Sequence, residues 1–101
     1  MKKVIATNNA PGAIGPYSQA IDTGSFIFIS GQIPVNPETG EIPEGIEAQA
    51  AQSMANIKAI LAEAGLTMDN VVKTTVFLAD MSLFADMIRL EKLDVIHENN
   101  V

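Results

Sequence analysis

Two short stretches place polar groups beside glycine or proline where an apolar run stops: GPYSQ at residues 15–19 and ISGQIP at residues 29–34. The chemistry they offer is recognition of a small carboxylate or of a polarised carbonyl. Glycine lets a ligand come close to the main chain, and free N–H groups at a strand end can hold a carboxylate or draw charge from a carbonyl carbon. Tyr17 adds a phenolic hydroxyl on an apolar body, and Ser30 adds a second small donor. If the two stretches end neighbouring strands, they form one rim. Read alone, the same residues equally suit two ordinary turns.

Other reactive side chains give weaker patterns. His97 is the only histidine, so it has no second histidine with which to share a metal. Glu41, Glu44 and Glu47 approach the start of a helical pattern, where negative charge is favoured by the helix dipole, and read as a solvated acidic run. The glycines at 12, 15, 24, 31, 40, 45 and 65 match neither a phosphate-binding loop nor a dinucleotide fingerprint. Asp80, Ser82 and Asp86 lack the spacing of a calcium loop. Without cysteine, these 101 residues hold no disulfide, thiolate zinc site or cysteine nucleophile. Neither a cofactor nor a metal is expected.

Bulk properties narrow the class further. One hundred and one residues suit a single domain, and 48% apolar with 18% charged content is ordinary for a globular chain. The net charge is −6, with cations scattered at 2, 3, 58, 73, 89 and 92, so no basic patch argues for nucleic acid. Lys2 and Lys3 resemble the start of a signal peptide, but the apolar run after them is only Val4-Ile5-Ala6. No stretch reaches the roughly 18 apolar residues of a membrane span. The expectation is a cytoplasmic chain with no membrane partner.

The elements that must position the two stretches are legible in outline. Residues 2–7 form a β-like run, followed by the breaker-rich NNAPGAIGP. Residues 17–21 and 25–30 read as two strands around Asp22-Thr23-Gly24, and residues 36–40 as a turn. In GIEAQAAQSMANIKAILAEAG, apolar residues Ile46, Ala50, Met54, Ile57, Leu61 and Ala64 recur at helical spacing. Glu47, Gln49, Gln52, Asn56 and Glu63 then fall on the expected exposed face, and Gly65 stands where a helix would stop. Residues 70–79, NVVKTTVFLA, read as a buried strand, and a second helix is expected to start near Leu83. The pattern predicts an α+β or α/β sandwich with helices over one sheet face.

With these residues in view, a family resemblance stands out. APGAIGPYSQAI at 10–21, FIFISGQIPVNPETGEI at 26–42, QAAQSMANIKAILAEAG at 49–65 and VVKTTVFLADMSLFADM at 71–87 closely resemble the Rid family, the RidA/YjgF reactive intermediate deaminases. The resemblance implies an α+β, chorismate-mutase-like fold, a six-stranded sheet with two helices on one face, assembled as a homotrimer with active sites between subunits. It implies hydrolysis of 2-aminoacrylate and 2-iminobutanoate to 2-keto acids and ammonia without a cofactor. Some members have instead been described as endoribonucleases or translation inhibitors. Residues matching Tyr17, Ser30 and Gly31 line the family's pocket, the last through its backbone. An arginine on a late strand anchors the substrate carboxylate, and a glutamate on the last strand helps place the water.

The likeness runs over residues 1–87 of a single domain spanning 1–101, and the tail 88–101, IRLEKLDVIHENNV, diverges. Ile88 stands where the family has asparagine, and no residue matches the anchor arginine or the terminal glutamate. Arg89 falls in or beside the second expected helix and does not inherit that role. The expectation is therefore a truncated or frame-altered member whose sheet is incomplete at the C-terminus, or one stabilised by rearranged or swapped assembly. Its function is then either imine deamination or weak small-carboxylate binding by a vestigial module.

Overall fold

The computed structural model describes residues 2–75. Three short strands, β1 (Lys3–Ile5), β2 (Ala20–Asp22) and β3 (Ile27–Ile29), form an antiparallel sheet in the order β1-β2-β3. The β2–β3 connection follows from its residue types. The Asp22 carboxylate accepts from the Gly24 N–H at 2.8 Å, and the Thr23 N–H donates to the Phe26 carbonyl at 2.9 Å. Gly24 turns the chain at φ 97°, a left-handed conformation that costs glycine no Cβ clash.

The register explains which side of the sheet is buried. Ile5 lies opposite Ala20, and Ala20 opposite Ile29, so these three share one face, as do Asp22 and Ile27. Val4, Ile21 and Phe28 share the other. The first face is the core side: Ile5 and Ala20 are buried with Ala10 and Ile60, and Ile27, Ile29, Ala59 and Ala64 pack against them. On the second face Val4 is 61% and Phe28 66% exposed.

The helix α1 (Ile46–Glu63) covers the core side. Its end is the one expected from Gly65, which takes φ 77° while its N–H and that of Leu66 return to the carbonyls of Ala62 and Leu61. A second cluster of Met54, Leu61 and Met68 continues the core, with Ile57, Leu66 and Val71 packed against it. Met68 enters through a 3-10 turn, Met68–Asn70, which the side chains of Thr67 and Asn70 cap reciprocally.

The helix corrects one sequence expectation. Asn56, assigned above to the solvent face, is 1% exposed, and Gln49 and Gln52 are half-buried. The buried arc is wider than the apolar stripe because the segment after β3 folds across the helix and presents main-chain carbonyls to it. Asn56 Nδ2 donates to the Ile33 carbonyl at 3.1 Å and to the Val35 carbonyl at 3.0 Å, and Gln49 Nε2 donates to Pro43. A buried carbonyl needs a donor, so an amide serves this face better than leucine would. The expected turn at 36–40 is present, with Asn36 Oδ1 accepting from the N–H groups of Glu38 and Thr39.

The fold is α+β, an antiparallel sheet with one helix among the described residues. Of the strand expected over 70–79, Asn70 instead closes the 3-10 turn and residues 71–75 carry no regular element. The remainder of that strand, the second helix and the tail lie outside the described residues.

Ile60 is fully buried at the centre of the sheet–helix contact. Ile60→Ala is expected to lower the unfolding free energy by about 2–5 kcal/mol, read from urea denaturation. A loss under about 1 kcal/mol would mean that this contact does not carry the core.

Candidate functional site

Ser30 joins the two stretches. Its N–H donates to the Gln19 carbonyl at 2.9 Å, which continues the β2–β3 pairing one residue beyond the strands. Its hydroxyl donates to the Ser18 carbonyl at 2.6 Å. The entry to β2 and the exit from β3 are therefore side by side at one end of the sheet, and the alternative of two unrelated turns is removed.

The Ser30 contact also changes what that side chain can offer. Sequence reading treats it as a donor, but its proton is committed to Ser18. The hydroxyl oxygen keeps lone pairs, so what Ser30 can still offer is an acceptor, suited to a water or another N–H or O–H donor.

Tyr17 sits at the turn that leads into β2. Its N–H donates to the Gly15 carbonyl at 2.8 Å, a three-residue turn that ends the extended run expected over 17–21 and delays β2 to Ala20. A Cβ at Gly15 would lie 3.5 Å from two carbons of the Tyr17 ring, so the ring rests against the Gly15 backbone. The residue is still 48% exposed at this end of the sheet.

Gly31 is exposed, does not have positive φ, and a Cβ placed on it would meet nothing within 4 Å. Neither backbone strain nor crowding within the described chain requires glycine there. The missing side chain does leave the main chain at 31 open to approach from outside. Gln32 turns back instead, its amide donating to the Ser30 carbonyl at 3.1 Å.

Gln19, grouped by sequence with the polar rim, is 5% exposed and points inward. Its Oε1 accepts from the Thr7 N–H at 2.7 Å, and its Nε2 donates to the carbonyls of Thr7 at 3.0 Å, Ala10 at 3.3 Å and Pro11 at 2.8 Å. It ties the breaker-rich loop to the entry of β2. Sequence reasoning missed this tie and that of Asn56. The available signal was an amide inside or bordering an apolar stretch, next to segments rich in proline and glycine that cannot bond their own carbonyls.

Among the described residues no group of His, Cys, Asp or Glu forms a metal-binding cluster, and no helix is long and apolar enough to cross a membrane. The site is thus a polar rim: a phenol, a hydroxyl acting as acceptor, and an open stretch of main chain. Such a rim can bind a small polar molecule and orient a water beside it.

Comparison with known proteins gives this rim a context. The family model described as Endoribonuclease L-PSP matches residues 7–94. A 2-iminobutanoate/2-iminopropanoate deaminase of Escherichia coli (strain K12) is 59% identical over 85 residues, 84% of this chain and 66% of that protein. A RutC family protein of Pasteurella multocida is 61% identical over the same shares. The chain thus spans just under two thirds of the length of these curated relatives. Among solved structures, the YjgF gene product of E. coli superposes with TM-score 0.89 at 50% identity, over 98% of this chain and 78% of that one. E. coli TdcF with bound serine gives TM-score 0.87 at 50% identity, over 90% and 72%. An identity of this size over most of the chain, on a shared fold, shows kinship: the chain belongs to the Rid family, the RidA/YjgF group of reactive intermediate deaminases.

Proposed function

We propose that this chain acts as a RidA-type imine deaminase, hydrolysing 2-iminobutanoate and 2-iminopropanoate, with their enamine tautomers, to 2-keto acids. The observation that carries the reading is the Tyr17–Ser30–Gly31 rim in a chain 59% identical to a deaminase of that specificity. Water adds to the C=N carbon, the nitrogen leaves as ammonia, and the carbonyl oxygen comes from the water. Atoms balance without an oxidant, and water is the only co-reactant.

The rim residues have roles that follow from their chemistry. The phenol of Tyr17 donates to the substrate or to the water. The Ser30 oxygen, its proton held by Ser18, accepts from water or from the imine nitrogen. The open main chain at Gly31 allows the substrate carboxylate to lie against the backbone. An amino-acid ligand on a relative, serine on TdcF, has the size and charge such a rim would accept.

The assembly reading rests on the second sheet face, which is exposed among the described residues. Val4 and Phe28 are largely exposed there, and the Phe26 ring, just before β3, lies 6.5 Å from the Phe28 ring. An apolar sheet face suits burial against other copies, and the reading is a homotrimer, cytoplasmic, of one Rid-type domain over residues 1–101. A second reading is a small-carboxylate-binding module without turnover. It is favoured by the divergence of residues 88–101, where Ile88 stands in place of the family's asparagine and Arg89 does not match its anchor arginine. An endoribonuclease reading has the family model's description behind it, but the net charge of −6, with cations scattered along the sequence, opposes it.

The deaminase reading is tested by generating 2-iminobutanoate from threonine with a dehydratase and following its loss. Acceleration over the uncatalysed rate is expected, falling about tenfold or more in Tyr17→Phe, the worth of one hydrogen bond to the reacting group. A folded chain without acceleration would leave the binding-module reading. For assembly, analytical ultracentrifugation is expected to show trimers that Phe28→Glu converts to monomers. A wild-type monomer would contradict the interface.

A further inference from the structure

Two polar side chains are buried among the described residues, Gln19 and Asn56, and each is bonded to main-chain groups of a segment that leads to or from the rim. Gln19 holds Thr7, Ala10 and Pro11, the start of the loop that ends at Gly15 and Tyr17. Asn56 holds Ile33 and Val35, the segment that leaves Ser30 and Gly31. Asn56 is itself oriented, since Gln52 Nε2 donates to its Oδ1 at 2.9 Å. That bond makes the Asn56 nitrogen the end that faces the two carbonyls.

We propose that Gln19 and Asn56 are positioning residues for the Rid-type reaction, Gln19 bracing the Tyr17 half of the rim and Asn56 the Ser30–Gly31 half. The proposal rests on the deaminase reading for its kinetic consequence but not for its structural one. Proline and glycine in the two loops leave few local hydrogen bonds to hold them, so their shape depends on these amides. Neither side chain is free to touch substrate, because both are buried and bonded inward. Their effect reaches the reaction through the placement of Tyr17, Ser30 and Gly31. Small misplacements of such groups cost rate steeply.

The test uses the full chain with near-isosteric apolar replacements, Gln19→Met and Asn56→Leu. The milder Gln52→Met removes only the bond that orients Asn56, so it keeps the test open if either first variant fails to fold. Met68→Ala serves as control, since it weakens the second core cluster, whose packing reaches Ile29 beside Ser30, without removing a hydrogen bond to either loop. Two quantities are read: hydrogen exchange at the Ser30 amide, and KM against kcat with 2-iminobutanoate. Expected are at least tenfold faster Ser30 exchange and at least fivefold higher KM in Gln19→Met and Asn56→Leu, with smaller shifts of the same sign in Gln52→Met. Met68→Ala, compared at matched stability, should leave both near wild type. If Met68→Ala moves both as much as the amide variants, or the amide variants move neither, the proposal is overturned and the amides serve stability alone. Faster Ser30 exchange in a chain that shows no turnover would support the bracing while ending the deaminase reading.

Discussion

The pairing between residues 18–19 and Ser30 is the contact on which the rest of the site depends. One main-chain bond and one hydroxyl bond, at 2.9 and 2.6 Å, extend a short hairpin just far enough to bring its two open ends together. The strands themselves are only three residues each, so their own ladder does little to dictate what happens beyond Ile29 and before Ala20. Ser30 supplies that continuation. In doing so it gives up its proton, which makes the rim an acceptor at this point and leaves donation to Tyr17 and to main-chain N–H groups.

Around this contact the molecule separates two tasks. Apolar residues on one face of the sheet and on α1 provide cohesion, with Ile60 completely enclosed. Buried amides provide shape, because they bond to loops that proline and glycine prevent from joining regular structure. Close packing is general to such cores, whereas the amide bonds are directional and tolerate little displacement. Among the described residues the opposite sheet face exposes Val4 and Phe28, which connects the fold of one chain to its proposed assembly.

Much of this was legible in the sequence, and the reasons differ by element. The hairpin at Asp22–Gly24, the turn at 36–40 and the helix stop at Gly65 are local chemistry, encoded by side-chain caps and by glycines that take positive φ. Helical periodicity located α1 and its Met54–Leu61 stripe, but it missed the breadth of the buried arc. Asn56 reads as polar and hence exposed, since its partners are carbonyls of a loop more than twenty residues away. Gln19 was noticed for its position but not for its direction, for the same reason. The 3-10 turn after Leu66 replaced the start of an expected strand because Thr67 and Asn70 cap it, which the β-branched run at 71–76 obscured. The pairing of Ser18 and Gln19 with Ser30, which sets the two stretches at one end of the sheet, required knowing that they flank adjacent strands, and pairing is a long-range property that spacing alone leaves open.

The end of the β2–β3 hairpin is the proposed binding place of a small 2-keto or 2-imino carboxylate. The most direct measurement is a titration of the isotopically labelled chain with 2-ketobutanoate, a stable product analogue of the imine, followed by amide NMR. Saturable shifts concentrated at Tyr17, Ser30 and Gly31, with little change at the exposed 36–40 turn, are the predicted result. Shifts centred elsewhere, or none that saturate, would contradict it.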